Sequence, residues 1–154
     1  MRYIHNARLQ VFLKPEEYKD DANIILKLKE SFNKIMPLDF QKEKLNIVEE
    51  NVEGFENRKI KILTLEIIKE AHTAIFLKTL KALIGKEQCK TLVEQKISRL
   101  DEELFFYIRL DKKDALENEF TLTDSGECIH IRMHIAAFPK NKETALKVIE
   151  QIFS

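Results

Sequence analysis

Apolar and polar positions alternate early in the chain: Ala7, Leu9, Val11 and Leu13 share one phase, and Asn6, Arg8 and Gln10 share the other. A period of two predicts a half-buried strand, over 3–13. After Pro15 the period lengthens. Tyr18, Ala22, Ile25, Leu28, Phe32 and Ile35 recur at helical spacing; Pro15 suits a first helical position and Pro37 ends the run. A helix is predicted over 15–36. Two further strands, over 45–52 and 58–67, flank a turn near Gly54 and Asn57, and that turn region is acidic through Glu49, Glu50, Glu53 and Glu56. A helix over 69–84 stops at Gly85. Its apolar residues, from Ala71 to Ile84, cover a wide arc, which suggests burial on more than one side, against a partner chain among the options. A shorter helix over 87–100 carries Cys89, Leu92, Val93, Ile97 and Leu100 on one face.

The last third returns to strands. Phe106, Ile108 and Leu110 share a phase against Phe105, Tyr107 and Arg109, predicting a strand over 104–110. The charged bend "DKKDALEN" leads to a short strand over 119–123 and a turn around Gly126. "CIHIRMHIAAF" is the cleanest alternation in the chain, with Ile129, Ile131, Met133 and Ile135 opposite His130, Arg132 and His134. A strand over 128–138 and an amphipathic helix over 141–153, capped by Asn141, complete the chain. The order βαββααβββα predicts an α+β fold: a largely antiparallel sheet with helices on one face, in a single domain over 1–154.

Composition narrows the chemistry. With 44% apolar and 34% charged residues the chain reads as globular, and 26 basic residues balance 26 acidic ones. No global field would draw in nucleic acid. Two cysteines, Cys89 and Cys128, lie far apart and suit buried positions in a reducing cytoplasm. The start lacks an apolar leader, and no run reaches the roughly 20 apolar residues of a membrane span. The expectation is a cytoplasmic protein with no membrane association.

Catalytic signatures are missing. Three glycines cannot build a phosphate loop, and neither G-x-x-x-x-G-K-[ST] nor G-x-G-x-x-G occurs. His130 and His134 share a strand face but sit roughly 13 Å apart, too far to share a metal. Cys128 has no nucleophile motif around it. Asp111 and Asp114 are read as turn residues in preference to an acid–base pair. The expectation is a protein that is not an enzyme and has no catalytic residues, no metal site and no cofactor.

What remains is a surface. With the aliphatic phases turned to the helices, the opposite face collects Arg8, Phe105, Tyr107, Arg109, His130, Arg132 and His134. Aromatic rings between basic groups on an open sheet suit single-stranded RNA: rings stack bases and guanidinium groups hold phosphates. Binding by a neutral protein would be weak and shallow in its salt dependence. The competing reading is an ordinary polar face, or one covered by a second subunit in a homodimer with no RNA ligand.

The stretches "FYIRLDKKDAL" and "EFTLTDSGECIHIRMHIAAFPKNKETALKVIEQIF" resemble a family of small archaeal proteins labelled predicted RNA-binding proteins or predicted exosome subunits. The matching pattern is an apolar strand, an L-D-K-x-x-A bend, a short strand, a strand ending in A-[FY]-P and a terminal helix, over about the last third of the chain. The resemblance implies a fold similar to that of the ribosomal protein that binds 5S RNA, and a non-enzymatic, RNA-associated role beside exosome or ribosomal components. It carries over no binding residues.

Overall fold

The computed structural model describes residues 1–154 as five strands and seven helices. The strands β1 (Ile4–Leu13), β2 (Ile47–Glu53), β3 (Lys59–Ile67), β4 (Phe105–Asp111) and β5 (Cys128–Ile135) form one sheet in the order β2-β3-β1-β5-β4. Every neighbouring pair is antiparallel. The helices are α1 (Pro15–Asp20), α2 (Ile24–Ile35), α3 (Phe40–Glu43), α4 (Glu70–Glu94), α5 (Lys96–Arg99), α6 (Lys112–Leu116) and α7 (Lys142–Phe153). The fold is α+β, as the periodicity predicts.

The core lies between one sheet face and the helices. Leu9, Val11, Leu63, Leu65, Ile108, Ile129, Ile131 and Met133 from the sheet meet Leu28, Phe32, Phe76, Leu80 and Ile149 from α2, α4 and α7, all with no exposed surface. Burying an aliphatic side chain of this size contributes about 1.5–3 kcal/mol. A one-residue slip of any strand would turn its whole apolar row to water, so the alternation fixes the register. The wide apolar arc of α4 is largely buried within the chain, through Phe76, Leu77, Leu80 and Ile84.

Several elements depart from the sequence reading: α3 and α6 form where no helix is expected, the residues of the helix expected over 87–100 are divided between α4 and α5, and the last strand ends at Ile135. The helix expected over 15–36 is broken at residues 21–23. The Asp21 carboxylate accepts from the Asn23 amide at 2.9 Å and from Lys27 at 2.9 Å, so a local side-chain bond replaces the next helical turn. Gly85 does interrupt its helix, at φ 81° and ψ 170°, but the helix resumes directly and runs to Glu94. The strand expected over 119–123 does not form, which corrects the element order. The segment makes one isolated bridge, Leu110 to Leu122. The Thr121 carbonyl and Thr123 amide do bond to β4, at Asp111 and Arg109, but the pairing stops there: the Glu119 amide donates to the Asp114 carbonyl in α6. On the outer edge the Gln88 side chain donates to the Phe120 carbonyl at 2.8 Å and accepts from the Leu122 amide at 2.7 Å, which ties the segment to α4.

The charged bend is a single helical turn, α6. The Asp111 carboxylate caps it, accepting from the Asp114 amide at 2.9 Å. Lys112 is buried, and its ammonium donates to the Phe12 carbonyl (2.6 Å), Glu17 (3.0 Å) and Glu127 (3.1 Å). Lys14 also pairs with Glu127. This cluster ties α1, the end of β1 and the start of β5 to α6.

Candidate nucleic-acid interface

The face of the sheet away from the helices is uncovered, and all seven residues nominated from the sequence lie on it. Three rows cross β4, β5 and β1: Phe105, His134 and Asn6; Tyr107, Arg132 and Arg8; Arg109, His130 and Gln10. Rows two residues apart along a strand stand about 7 Å from one another.

The rings and cations within the rows touch. Phe105 and His134 stack with centroids 4.5 Å apart and planes 24° apart. The Arg132 guanidinium carbon sits 4.5 Å from the Phe105 centroid. Arg132 Nε is the one buried side-chain polar atom without a hydrogen-bond partner, a result of the guanidinium lying against a ring in place of an acceptor. Two neighbours thus already occupy Phe105. Tyr107 is freer, at 41% exposed, with its hydroxyl donating to Asp101 at 2.8 Å. Partial burial works against the Asp101 anion, yet hydrogen bonds from the Phe105 amide, the Tyr107 hydroxyl and the Glu103 amide hold its pKa below the ordinary carboxylate value. Burial and the Asp101 carboxylate push the Tyr107 hydroxyl up.

His130 and His134 both titrate low. Burial is the main cause for His130, reinforced by the charges of Arg109, Arg8 and Lys112. Burial again leads for His134, reinforced by His5 and Lys140. At neutral pH both rings are uncharged, and the fixed positive charge of the face comes from arginine. His130 and His134 do not come together. His130 packs edge-on against Phe12 at 5.8 Å, whereas His134 lies between Phe105 and His5. No three His, Cys, Asp or Glu side chains converge as metal ligands. Both cysteines are buried, and burial raises both thiols.

Three residues of this region escape the sequence reading. His5 reaches the face through an irregularity in the β1–β5 register between Ile4 and Asn6. Phe12 is exposed beside His130. Arg99 lies on α5, which folds back along the edge of β4; its guanidinium donates to the Tyr107 carbonyl at 3.1 Å and to the Gln95 side chain at 2.7 and 3.0 Å. Arg99 brings to four the arginines on this side, with Arg8, Arg109 and Arg132, of six in the chain. Only Arg58, elsewhere, is salt-bridged.

An uncovered sheet face bearing rings and arginines is one surface on which RNA-binding modules hold unpaired bases. Residues 7–135 match the family described as RNA binding, and the chain belongs to that family. The RNA-binding protein PAB1135 of Pyrococcus abyssi is 31% identical over 148 residues, which cover 96% of this chain and 92% of that protein. Among solved structures, the fold is similar to that of protein AF2318 from Archaeoglobus fulgidus, with a TM-score of 0.81 at 22% identity, covering 97% of this chain and 99% of that one. It is also similar to Mth689 from Methanothermobacter thermautotrophicus, with a TM-score of 0.73 at 21% identity and 99% of both chains covered. Both are described as DUF54 proteins. No helix of the chain is long and apolar enough to cross a membrane.

Proposed function

We propose that the protein binds single-stranded RNA on the β4–β5–β1 half of its open sheet face, as a binding module without catalysis of its own. The observation that carries this reading is the concentration of four of six arginines, none of them salt-bridged, around Tyr107 on one uncovered surface of a chain with no net charge. Tyr107 stacks a base. Arg8, Arg109 and Arg132 hold phosphates, and His130 and His134 shape the floor. Phe105 acts by orienting Arg132 and His134. The rings read unpaired bases, so single strands bind in preference to duplexes. Such a module suits an accessory role beside RNA-degrading or ribosomal assemblies.

The test is titration of a single-stranded RNA oligonucleotide into the wild type and a Tyr107→Ala, Arg109→Ala, Arg132→Ala variant, with folding checked by circular dichroism. The reading expects binding by the wild type and a clear loss in the variant; equal affinities would overturn it. Recovery of RNA together with exosome or ribosomal components in a pull-down would support the accessory role.

A second reading has its own observation. On the β3–β2 half of the same face, Val48 and Val52 are exposed apolar side chains on the unpaired edge strand β2. A second copy covering that half would make a homodimer. Light scattering at high concentration tests it: a strict monomer removes this reading.

A further inference from the structure

At the β4 edge of the sheet, α5 and the 121–124 segment stand on either side of a cleft of about 490 Å³. Its lining includes Ser98, Arg99, Tyr107, Arg109, Thr123 and Asp124. Both arginines are positioned by neutral groups. Arg99 is held by the Gln95 side-chain oxygen and the Tyr107 carbonyl, and Arg109 donates to the Asp124 carbonyl at 3.0 Å. A guanidinium has five N–H donors. These bonds use three on Arg99 and one on Arg109, and the charge of neither is matched by a salt bridge.

We propose that this cleft is a phosphate-binding subsite, with Arg99 and Arg109 as its paired cations and Ser98 and Thr123 as hydroxyl neighbours. It rests on the sheet-face reading, which it deepens: the base stacks on Tyr107 and its phosphate drops over the β4 edge between the two guanidiniums. Three features favour a phosphate here. Arg99 is fixed in advance from two sides, so little side-chain freedom is lost on binding. Burial lowers the pKa of Arg99; the Asp124 carboxylate opposes that shift and the neighbouring Arg109 charge adds to it, so an anion between the two cations relieves repulsion. Tyr107 belongs both to this cleft and to the open face, so one nucleotide can reach both.

The experiment uses the full chain, a single-stranded RNA carrying either a 5′-phosphate or a 5′-hydroxyl, and inorganic phosphate followed by amide NMR shifts. Arg99→Gln and Arg109→Gln are each expected to weaken RNA binding by roughly tenfold, the loss of one hydrogen bond to a charged group. Each is also expected to flatten the slope of log affinity against log salt by about 0.7, the single-strand value for one phosphate. Arg109→Gln leaves the support of Tyr107 intact and serves where Arg99→Gln does not fold. A 5′-phosphate preference abolished by the variants assigns a terminal monoester, and equal affinity for the two oligonucleotides assigns an internal phosphodiester. If the wild type binds RNA and Arg99→Gln keeps its affinity and salt slope, the cleft proposal falls, while the sheet-face reading stands as long as the Tyr107→Ala, Arg109→Ala, Arg132→Ala variant loses RNA. If no RNA binds, the sheet-face reading falls and phosphate decides: shifts at Ser98, Arg99 and Thr123 that vanish in Arg109→Gln keep the cleft as an anion site, and their absence overturns it.

Discussion

The open face of the sheet has two halves built on one continuous backbone, and they differ in chemistry. The β4–β5–β1 half presents Tyr107, Arg109, Arg132 and Arg8, and its edge is closed: the Asp111 amide donates to the Thr121 carbonyl, the Thr123 amide to the Arg109 carbonyl and Arg99 to the Tyr107 carbonyl. The β3–β2 half presents Thr64, Ile62, Val48 and Glu50, and β2 ends the sheet with no further strand. Both halves rest on the same antiparallel ladder and alternate in the same way. The fold therefore does not decide between the two halves as the proposed RNA site. The side chains on the outward phase decide it, together with what has been laid along the edge.

The largest expected effect lies behind the open face, in how two lysines on the helix side are anchored. Lys112 is buried and bridges Glu17 and Glu127, whereas Lys61, on β3, meets Asn51 at 3.0 Å and Glu49 at 3.8 Å near the surface. Lys112→Met is expected to cost about 3 kcal/mol of unfolding free energy, because carboxylates lose a desolvated partner. Lys61→Met is expected to cost less than about 1 kcal/mol. Urea titration of both variants checks the pair, and equal losses would break the contrast.

Binding comes next. Tyr107→Ala alone is expected to weaken single-stranded RNA binding by about 1–3 kcal/mol, the value of one stacked base. Val48→Ser and Ile62→Ser are expected to leave affinity unchanged. An equal loss from the β3–β2 substitutions would move the interface across the sheet.

The pH responses of Glu127 and of His130 and His134 have the same sign for stability and occupy separate windows. Glu127 is lowered from 4.5 to about 2, first by Lys14 and then, against the cost of burial, by Lys112. A depressed carboxylate stabilises the fold above its ordinary value, so this contribution is expected to fade as pH falls from 4.5 towards 2. Thermal melts of the wild type against Glu127→Gln would show the difference shrinking over that window. His130 and His134 are depressed below their ordinary 6.5. Their unfolded forms take up protons first, so stability falls as pH drops below 6.5. RNA phosphates would favour the protonated rings, so affinity is expected to rise over the same interval in the wild type and to stay flatter in a His130→Gln, His134→Gln variant.

The smallest effect is expected at the β2 edge. Val48→Lys should change stability by less than about 0.5 kcal/mol, as an exposed substitution. Its use is to sharpen the second reading: light scattering that shows a wild-type dimer dissociating in this variant would assign the apolar half to self-association.

Alternation along residues 7–13 and 128–135 was enough to sort side chains onto two faces, because a period of two leaves no other arrangement once one phase is buried. The α+β class needs the helical spacing of the intervening segments as well, but all seven nominated face residues follow from that rule, applied also to 104–110. Neighbourhood does not. The segment at 119–123 has strand-like residues, but it meets β4 in a single bridge, and its outer edge is held by Gln88, more than thirty positions earlier. Phe105 and Tyr107 look equivalent in the chain, yet only pairing with β5 places His134 and Arg132 against Phe105 and leaves Tyr107 the freer ring. Arg99 sits on a helical stretch without any period that points to the sheet, and the fold of α5 along β4 brings it beside Arg109. Periodicity is a local property of the backbone and reports which way a side chain points. What it meets there depends on contacts between distant segments, and those exist only once the chain has folded.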